Sequence, residues 1–228
     1  MNTLIFICFH KKSSLIIFLL FLLILKTNMN YLAHLFLSGD SDGVKVGNFI
    51  GDHVKGKQYL SYPDDVQTGI LLHRQIDSFT DNHPLVKECS DLLRPVYRKY
   101  SGIITDLFFD HFLASMWNNY SNDQLRHFTR HVHAVLLKNY FVLPPKVRQF
   151  LPFLIQNKRL QSYAEIDGIT KAIEIMGNYT SLPPESQYAK LVLQENYNFL
   201  KENFIAFFRE IIQFTEEDFD IPLQNMSK

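Results

Sequence analysis

The amino-acid sequence predicts an all-α, single-domain helical bundle. Apolar residues recur at helical spacing in segment after segment, and the repeated apolar-polar alternation that indicates strands does not occur. The chain has 228 residues, of which 46% are hydrophobic and 14% aromatic, so it can bury one sizeable core. No low-complexity linker or internal repeat divides it. We therefore expect one helical domain over residues 29–220, followed by a short tail at 221–228.

Proline and glycine set several boundaries of the predicted helices. Gly56 is placed to end the second helix, Pro63 precedes the third, and Pro95 is expected to kink the fourth. The last segment has an apolar stripe typical of a long core helix or a kinked pair. The predicted helices occupy the segments 30–38, 46–56, 64–82, 84–100, 102–120, 121–140 and 183–219.

The first 28 residues differ from the rest of the chain. Residues 15–25 are 11 consecutive apolar residues behind a short basic stretch, which is the length of a signal-peptide core and too short to span a bilayer comfortably. No small-residue cleavage site follows. Three interpretations remain: an uncleaved membrane anchor, a poor signal peptide, or an upstream extension of a protein that starts at Met29. A membrane partner is expected only if the segment is a genuine anchor.

Overall charge and cysteine content exclude several classes of protein. The 23 Lys and Arg balance the 23 Asp and Glu, so no global charge favours nucleic acid as a partner. Cys8 and Cys89 are far apart and match neither a zinc motif nor a disulfide framework. These features favour a cytoplasmic protein in a reducing compartment.

Carboxylates and imidazoles recur among the apolar residues of the predicted helices. His73 and Asp77 lie one helical turn apart on one face. Asp81 lies one turn further on and is rotated by about 80° around the helix from His73. Asp106 and Asp110 repeat this spacing, and the other candidates are His34, Asp52, His53 and His111. Few of these groups have a neighbouring Lys or Arg.

Structural explanations compete with a functional one for several of these residues. His34 alone would suit a core histidine, Asp81 a helix-terminating turn, and the polar surroundings of His127, His131 and His133 indicate a solvated face. The case is different for Asp77, Asp110 and His111, because several unpaired carboxylates buried together require a cation.

The types of ligand narrow the choice of cation. Oxygen and imidazole nitrogen without thiolate suit Mn²⁺, Mg²⁺ or Fe²⁺ better than a structural Zn²⁺. Such a centre in a helical bundle either assists phosphoester hydrolysis or activates oxygen at iron. The paired Glu-x-x-His motifs of ferritin-like iron proteins are absent from the sequence. Metal-assisted phosphoester hydrolysis is therefore favoured.

Four segments in order, 29–39, 47–56, 69–84 and 106–117, resemble the acyl carrier protein phosphodiesterases. The remaining C-terminal part is similar only as a helical continuation of suitable length. The resemblance implies a fold like that of the HD-type metal-dependent phosphohydrolases. It also implies hydrolysis of holo-acyl carrier protein to apo-acyl carrier protein and 4′-phosphopantetheine, with Mn²⁺ as the ion and Mg²⁺ as a substitute. Proteins of that family start at the equivalent of Met29, so residues 1–28 depart from the pattern.

The same resemblance implies roles for particular residues. Metal ligands or groups that position water are expected at Asp52, His73, Asp77, Asp110 and His111, with Asp52, His73, Asp110 and His111 counted as catalytic. His34 is expected either as a ligand or as a supporting residue, and supporting positions are expected at Asp81 and Asp106. Arg74 either pairs with the phosphate or lies on the outer face of its helix.

A carrier-protein substrate also implies a docking surface. Carrier proteins are acidic around the modified serine, and the chain after Met29 has 20 basic and 23 acidic residues, so local positive charge is needed beside the metal. The predicted docking residues are Lys55, Lys57, Arg94, Arg98 and Lys99. Two other functions stay open: an HD-like hydrolase acting on a small nucleotide, and a non-catalytic, membrane-tethered helical binding module.

Overall fold

The computed structural model describes residues 31–223, and it contains no strand within that range. This confirms the all-α single domain. The predictions made for residues 1–28 lie outside the described residues. None of the helices between residues 31 and 223 is long and apolar enough to cross a membrane.

Twelve α-helices follow one another in the described part of the chain, joined by short links and 3-10 turns. The first six are α1 (Tyr31–Phe36), α2 (Asp42–Ile50), α3 (Asp64–Asn82), α4 (Pro84–Asp91), α5 (Arg94–Tyr97) and α6 (Ser101–Ser115). The remaining six are α7 (Leu125–Lys138), α8 (Pro145–Gln156), α9 (Arg159–Ser162), α10 (Ile166–Tyr179), α11 (Ser186–Glu195) and α12 (Tyr197–Phe219).

The predicted boundaries are correct where a proline or a polar run marks them. Helix α3 begins directly after Pro63 and spans 64–82 as predicted. The segment 84–100 is interrupted just before Pro95, which lies in the first turn of α5, so it forms the two short helices α4 and α5. The last segment divides at Asn196 into α11 and α12. Helices α8 to α10 were not predicted, and Pro145 and Pro152 interrupt the apolar pattern of α8.

The second predicted helix is wrong at its C-terminus. Helix α2 ends at Ile50, and a 3-10 turn, Gly51–His53, follows it. Gly56 has a φ of +54° but begins a second 3-10 turn and does not cap α2. Asp52 and His53 therefore lie on a turn between helices.

Two features of the packing place the functional residues. Gly47 of α2 faces Gly69 of α3, and a β-carbon at either position would overlap the backbone of the other helix, so these two helices cross without intervening side chains. Helix α6 is apolar on most of its surface and has Leu107, Phe108 and Phe112 fully buried, as expected for a central helix. Helix α12 covers α6 through ring contacts such as Phe112 with Phe204. Beyond α12, Ile221 and Leu223 of the predicted tail are also buried.

Candidate metal centre

Two buried histidines from different helices face each other at the centre of the site. His34 of α1 and His73 of α3 have ring centroids 4.4 Å apart and planes inclined by 30°. Only 1% and 4% of their surfaces are exposed. The contact between α2 and α3 brings a third residue, Asn48, between them.

Asn48 determines which nitrogen of each histidine is free. Its Oδ1 lies 2.7 Å from Nδ1 of His34 and 3.3 Å from Nδ1 of His73. Its Nδ2 donates to the His34 carbonyl and to the Ser38 hydroxyl, which fixes the orientation of the amide. Because a carbonyl oxygen can only accept, both Nδ1 atoms carry hydrogen, and each Nε2 atom has a lone pair when its ring is neutral.

The two Nε2 atoms point toward carboxylates. Asp77 Oδ1 lies 3.3 Å from His34 Nε2, and Asp77 Oδ2 lies 3.3 Å from His73 Nε2. Asp52, on the 3-10 turn after α2, places Oδ1 3.6 Å from His73 Nε2. Three of the buried atoms here have no hydrogen-bond partner: Nε2 of His34, Nε2 of His73 and Oδ2 of Asp52. Buried polar atoms are rarely left unpaired, so their convergence indicates a place for a ligand.

The dimensions of this group suit one divalent ion. Ligand atoms of His34, His73 and Asp77 all lie within 4.8 Å of one another. An ion bound at about 2.1 Å to nitrogen and oxygen holds neighbouring ligand atoms about 3 to 4 Å apart. His34, His73 and Asp77 therefore fit a metal, with Asp52 next to His73, and the nitrogen and oxygen donors are those of a hard or borderline ion.

The charges in the group depend on one another. Burial lowers the pKa of His34, but the adjoining Asp77 carboxylate outweighs this effect, and the pKa of His34 is raised. Burial raises the pKa of Asp77, but His34 outweighs it with help from His73 and Lys55, and the pKa of Asp77 is lowered. Asp77 is thus held as a carboxylate beside the imidazoles, which is the form that binds a cation.

Asp106 and Asp81 lie beside this group. Burial, with the charges of Asp77 and Asp81, raises the pKa of Asp106 well above its usual range. Partial burial and the Asp77 charge also raise the pKa of Asp81, whose side chain is exposed. Asp106 and His34 share the wall of a narrow cavity formed mainly by apolar residues of α3 and α12. Asp81 and Asp106 are therefore close enough to influence the centre.

Asp110 has a different position from the one its motif suggested. Its two carboxylate oxygens accept hydrogen bonds from the backbone N–H groups of Leu32 and Ala33, at 3.1 and 2.9 Å. Burial raises its pKa to about 7, although these hydrogen bonds act in the opposite direction. Asp110 thus holds the first turn of α1, the helix that carries His34.

His111 is not brought to the metal centre. Its Nδ1 donates to the Tyr163 carbonyl at 2.8 Å, and its Nε2 lies 3.3 Å from the Tyr197 hydroxyl. Residues that are adjacent on a helix point about 100° apart, so Asp110 can face α1 while His111 faces the link between α9 and α10. Burial lowers the pKa of His111, which favours a neutral structural histidine.

The other histidine group is also separate from the centre. His127 and His131 are exposed and pair with Asp123 and Asp42, as expected for a solvated face. His133 differs, because it is 9% exposed and therefore buried.

Arg74 secures the turn that follows Asp52. Its Nη2 donates to the carbonyls of Val54 and Gly56, both at 2.9 Å, and its guanidinium lies over the Tyr59 ring. Pairing of Arg74 with a phosphate stays a prediction. The contacts of Arg74 fix the backbone on both sides of Lys55.

The predicted docking residues fall into two groups. Lys55 and Lys57 are exposed on the turn after Asp52, and the Lys55 charge reaches Asp77. Arg94, Arg98 and Lys99 lie before α6, where Arg94 is paired with Asp91 at 2.9 Å.

One contributor was absent from the sequence prediction. Asn48 was missed, although a polar residue one turn before Asp52 in an apolar run was a usable signal. For His34 the sequence left a ligand and a supporting role open, because nothing in its segment shows that α1 lies beside α3.

Comparison with known proteins supports the resemblance seen in the sequence. The sequence model of the family described as "Acyl carrier protein phosphodiesterase" matches residues 29–211. A Yersinia pestis protein of that name is 31% identical over 181 residues, which cover 79% of this chain and 94% of the relative. Proteins of the same name from Enterobacter sp. (strain 638) and Salmonella agona (strain SL483) are each 33% identical over the same shares. No solved structure matches the chain.

Proposed function

This chain belongs to the acyl carrier protein phosphodiesterase family, and we propose that it hydrolyses the phosphodiester that joins 4′-phosphopantetheine to a serine of holo-acyl carrier protein. The products are apo-acyl carrier protein and 4′-phosphopantetheine. The observation that carries the proposal is the convergence of unpartnered Nε2 atoms of His34 and His73 on the carboxylates of Asp52 and Asp77. Such a centre can hold a divalent ion that assists phosphodiester hydrolysis.

We propose Mn²⁺ as the ion, with Mg²⁺ or Fe²⁺ as substitutes. His34, His73, Asp52 and Asp77 would hold it, since their donor atoms are nitrogen and oxygen. When bound, a divalent ion polarises phosphoryl oxygens and lowers the pKa of water. Asn48 keeps both imidazoles in the tautomer that binds a metal, which is the usual task of residues behind the ligands.

A proton is also needed for the departing serine oxygen. Asp106 is the carboxyl best suited to hold it, because burial and the charges of Asp77 and Asp81 raise its pKa well above the usual range. A proton held there would assist the departure of the serine. Asp110 and His111 support the site indirectly. Asp110 fixes the first turn of α1, and His111 fixes the link between α9 and α10.

We propose a cytoplasmic location for this reaction. Cys89 is buried and unpaired. Burial raises its pKa to about 11, so the thiol is unreactive. An unpaired structural cysteine is ordinary in a reducing compartment.

The substrate is tested by mass spectrometry of holo-acyl carrier protein incubated with the full chain and Mn²⁺. We expect the carrier protein to lose the mass of the 4′-phosphopantetheine group, with that compound appearing in solution. A small nucleotide cleaved efficiently while holo-carrier protein stays intact would favour the nucleotide hydrolase. A protein that neither binds Mn²⁺ nor cleaves either substrate would favour the binding module.

A further inference from the structure

One part of the chain is basic without any acidic residue. Residues 124–164 contain seven of the 23 Lys and Arg and none of the 23 Asp and Glu, although the whole chain has no net charge. The segment forms α7, α8, α9 and their links. This concentration of charge was not part of the docking set predicted from the sequence.

The link between α7 and α8 exposes apolar and aromatic side chains. Phe141 is 88% exposed, Leu137 54% and Tyr140 36%. The Tyr140 and Phe141 rings meet edge to face at 5.6 Å, and the Arg148 guanidinium lies 5.8 Å from the Tyr140 ring centroid. Clustered exposed aromatic residues together with Arg are typical of protein interfaces.

Ring contacts connect this link to the metal centre. Phe150 of α8 lies 6.0 Å from the Tyr31 ring, and Tyr31 lies 4.6 Å from the Phe49 ring, three residues before Asp52. Lys146 is one helical turn before Phe150 and so lies on the same side of α8. Lys55 follows the 3-10 turn Gly51–His53, and Lys146 lies in the first turn of α8. The ring contacts therefore connect the two parts of the chain that carry these lysines.

We propose that Lys55, Tyr140, Phe141, Lys146 and Arg148 form a docking surface for the acidic face of the carrier-protein substrate beside its modified serine. This inference rests on the proposed function and names where the partner binds. The lysines and Arg148 match acidic side chains, and the exposed ring of Phe141 offers an apolar contact. Lys55 is retained from the predicted set, while Arg94, Arg98 and Lys99 are replaced by residues of the α7–α8 link and α8.

The test compares a double variant, Phe141→Glu with Lys146→Glu, against a matched control, Leu191→Glu with Lys171→Glu. Leu191 is 50% exposed on α11, and Lys171 is exposed on α10. KM and kcat are measured with holo-carrier protein and with bis(p-nitrophenyl) phosphate as a small phosphodiester. We expect the double variant to raise KM for the carrier protein by about tenfold or more, and to weaken its dependence on salt. Cleavage of the small phosphodiester should be unchanged, and the control should behave as wild type on both substrates.

Three outcomes would overturn the docking surface. One is an unchanged KM for the carrier protein, and another is an equal loss on both substrates, which would indicate damage at the metal centre. The third is loss of binding to phosphatidylglycerol vesicles with an unaffected KM, which would assign the surface to a membrane. If wild type releases no 4′-phosphopantetheine, the proposed function fails, and fluorescence anisotropy with labelled holo-carrier protein tests the surface on its own. Weaker binding by the double variant then supports docking, and equal binding refutes it.

Discussion

At the scale of single residues, Asn48 orients both histidines of the centre with one side chain. One carboxamide accepts from both histidines and donates to backbone and hydroxyl groups that hold it in place. Without it, either ring nitrogen of His34 or His73 could carry the hydrogen, and the rings could turn. Residues behind metal ligands typically change affinity by about 10- to 100-fold when removed.

Asn48→Ala should therefore weaken Mn²⁺ binding by about 10- to 100-fold while the protein stays helical. Electron paramagnetic resonance of free Mn²⁺ during a titration measures this affinity, and circular dichroism checks the fold. His111→Phe provides the contrast. It should destabilise the protein, because the Tyr163 carbonyl loses its donor, but it should leave Mn²⁺ affinity within about twofold. Wild-type affinity in Asn48→Ala, or lost affinity in His111→Phe, would contradict these assignments.

The sequence predicted which residue types form the centre better than it predicted their directions. His73, Asp77 and Asp52 converge in the structure, since helical spacing and one turn relate them locally. The neighbouring Asp110 and His111 looked equivalent, yet they point to different helices. Which side of α6 faces α1 depends on tertiary packing, and local spacing carries no information about it.

At the scale of elements, the crossing of α2 and α3 sets the geometry of the centre. Helix α2 carries Asn48 and leads into Asp52, while α3 carries His73 and Asp77. Gly47 and Gly69 let the two backbones approach closely, because a side chain at either position would overlap a carbonyl oxygen of the other helix. The distance between Asn48 and His73 therefore depends on Gly47 and Gly69 having no β-carbon.

Gly69→Ala should separate these helices and lower the free energy of unfolding by about 1–3 kcal/mol, the usual cost of overpacking. Mn²⁺ affinity should fall as well, because Asn48 moves away from His73. Gly102→Ala is the matched control: a β-carbon there meets nothing within 4 Å, so helix propensity alone should stabilise α6 by up to about 1 kcal/mol. Urea denaturation and the Mn²⁺ titration measure both effects. A Gly69→Ala protein with wild-type stability and affinity would show that the crossing tolerates a methyl group.

Two of the elements that the sequence did not predict have a physical reason. Helix α8 contains Pro145 and Pro152 and helix α9 has only four residues, so their apolar pattern is weak and tertiary contacts determine them. Asp110 shows the same dependence, since it caps the first turn of α1 from 77 residues away. Helix α3 was predicted accurately because its signals are all local.

At the scale of the whole molecule, the site and its supports lie within the region matched by the family model. That region begins at Met29, and the candidate ligands run from His34 to Asp77. The groups described above all lie within residues 31–223. We therefore propose that the domain from Met29 onward is sufficient for the reaction.

A variant lacking residues 1–28 should keep helical dichroism and turn over holo-carrier protein within about twofold of the full chain. The thermal midpoint should also be similar, since the core helices are retained. Turnover by mass spectrometry and thermal melting measure the two properties. Lost turnover in a folded variant would instead make the first 28 residues part of the enzyme.

We propose that a divalent ion held by Asp52, His34, His73 and Asp77 is required for hydrolysis. Release of 4′-phosphopantetheine from holo-carrier protein, measured with and without added Mn²⁺ after chelation, tests it most directly. Chelated wild type should be inactive and recover with Mn²⁺, whereas Asp52→Ala should stay helical and remain about 100-fold or more below wild type at any Mn²⁺ concentration. Undiminished release after chelation, or near-normal turnover by Asp52→Ala, would contradict it.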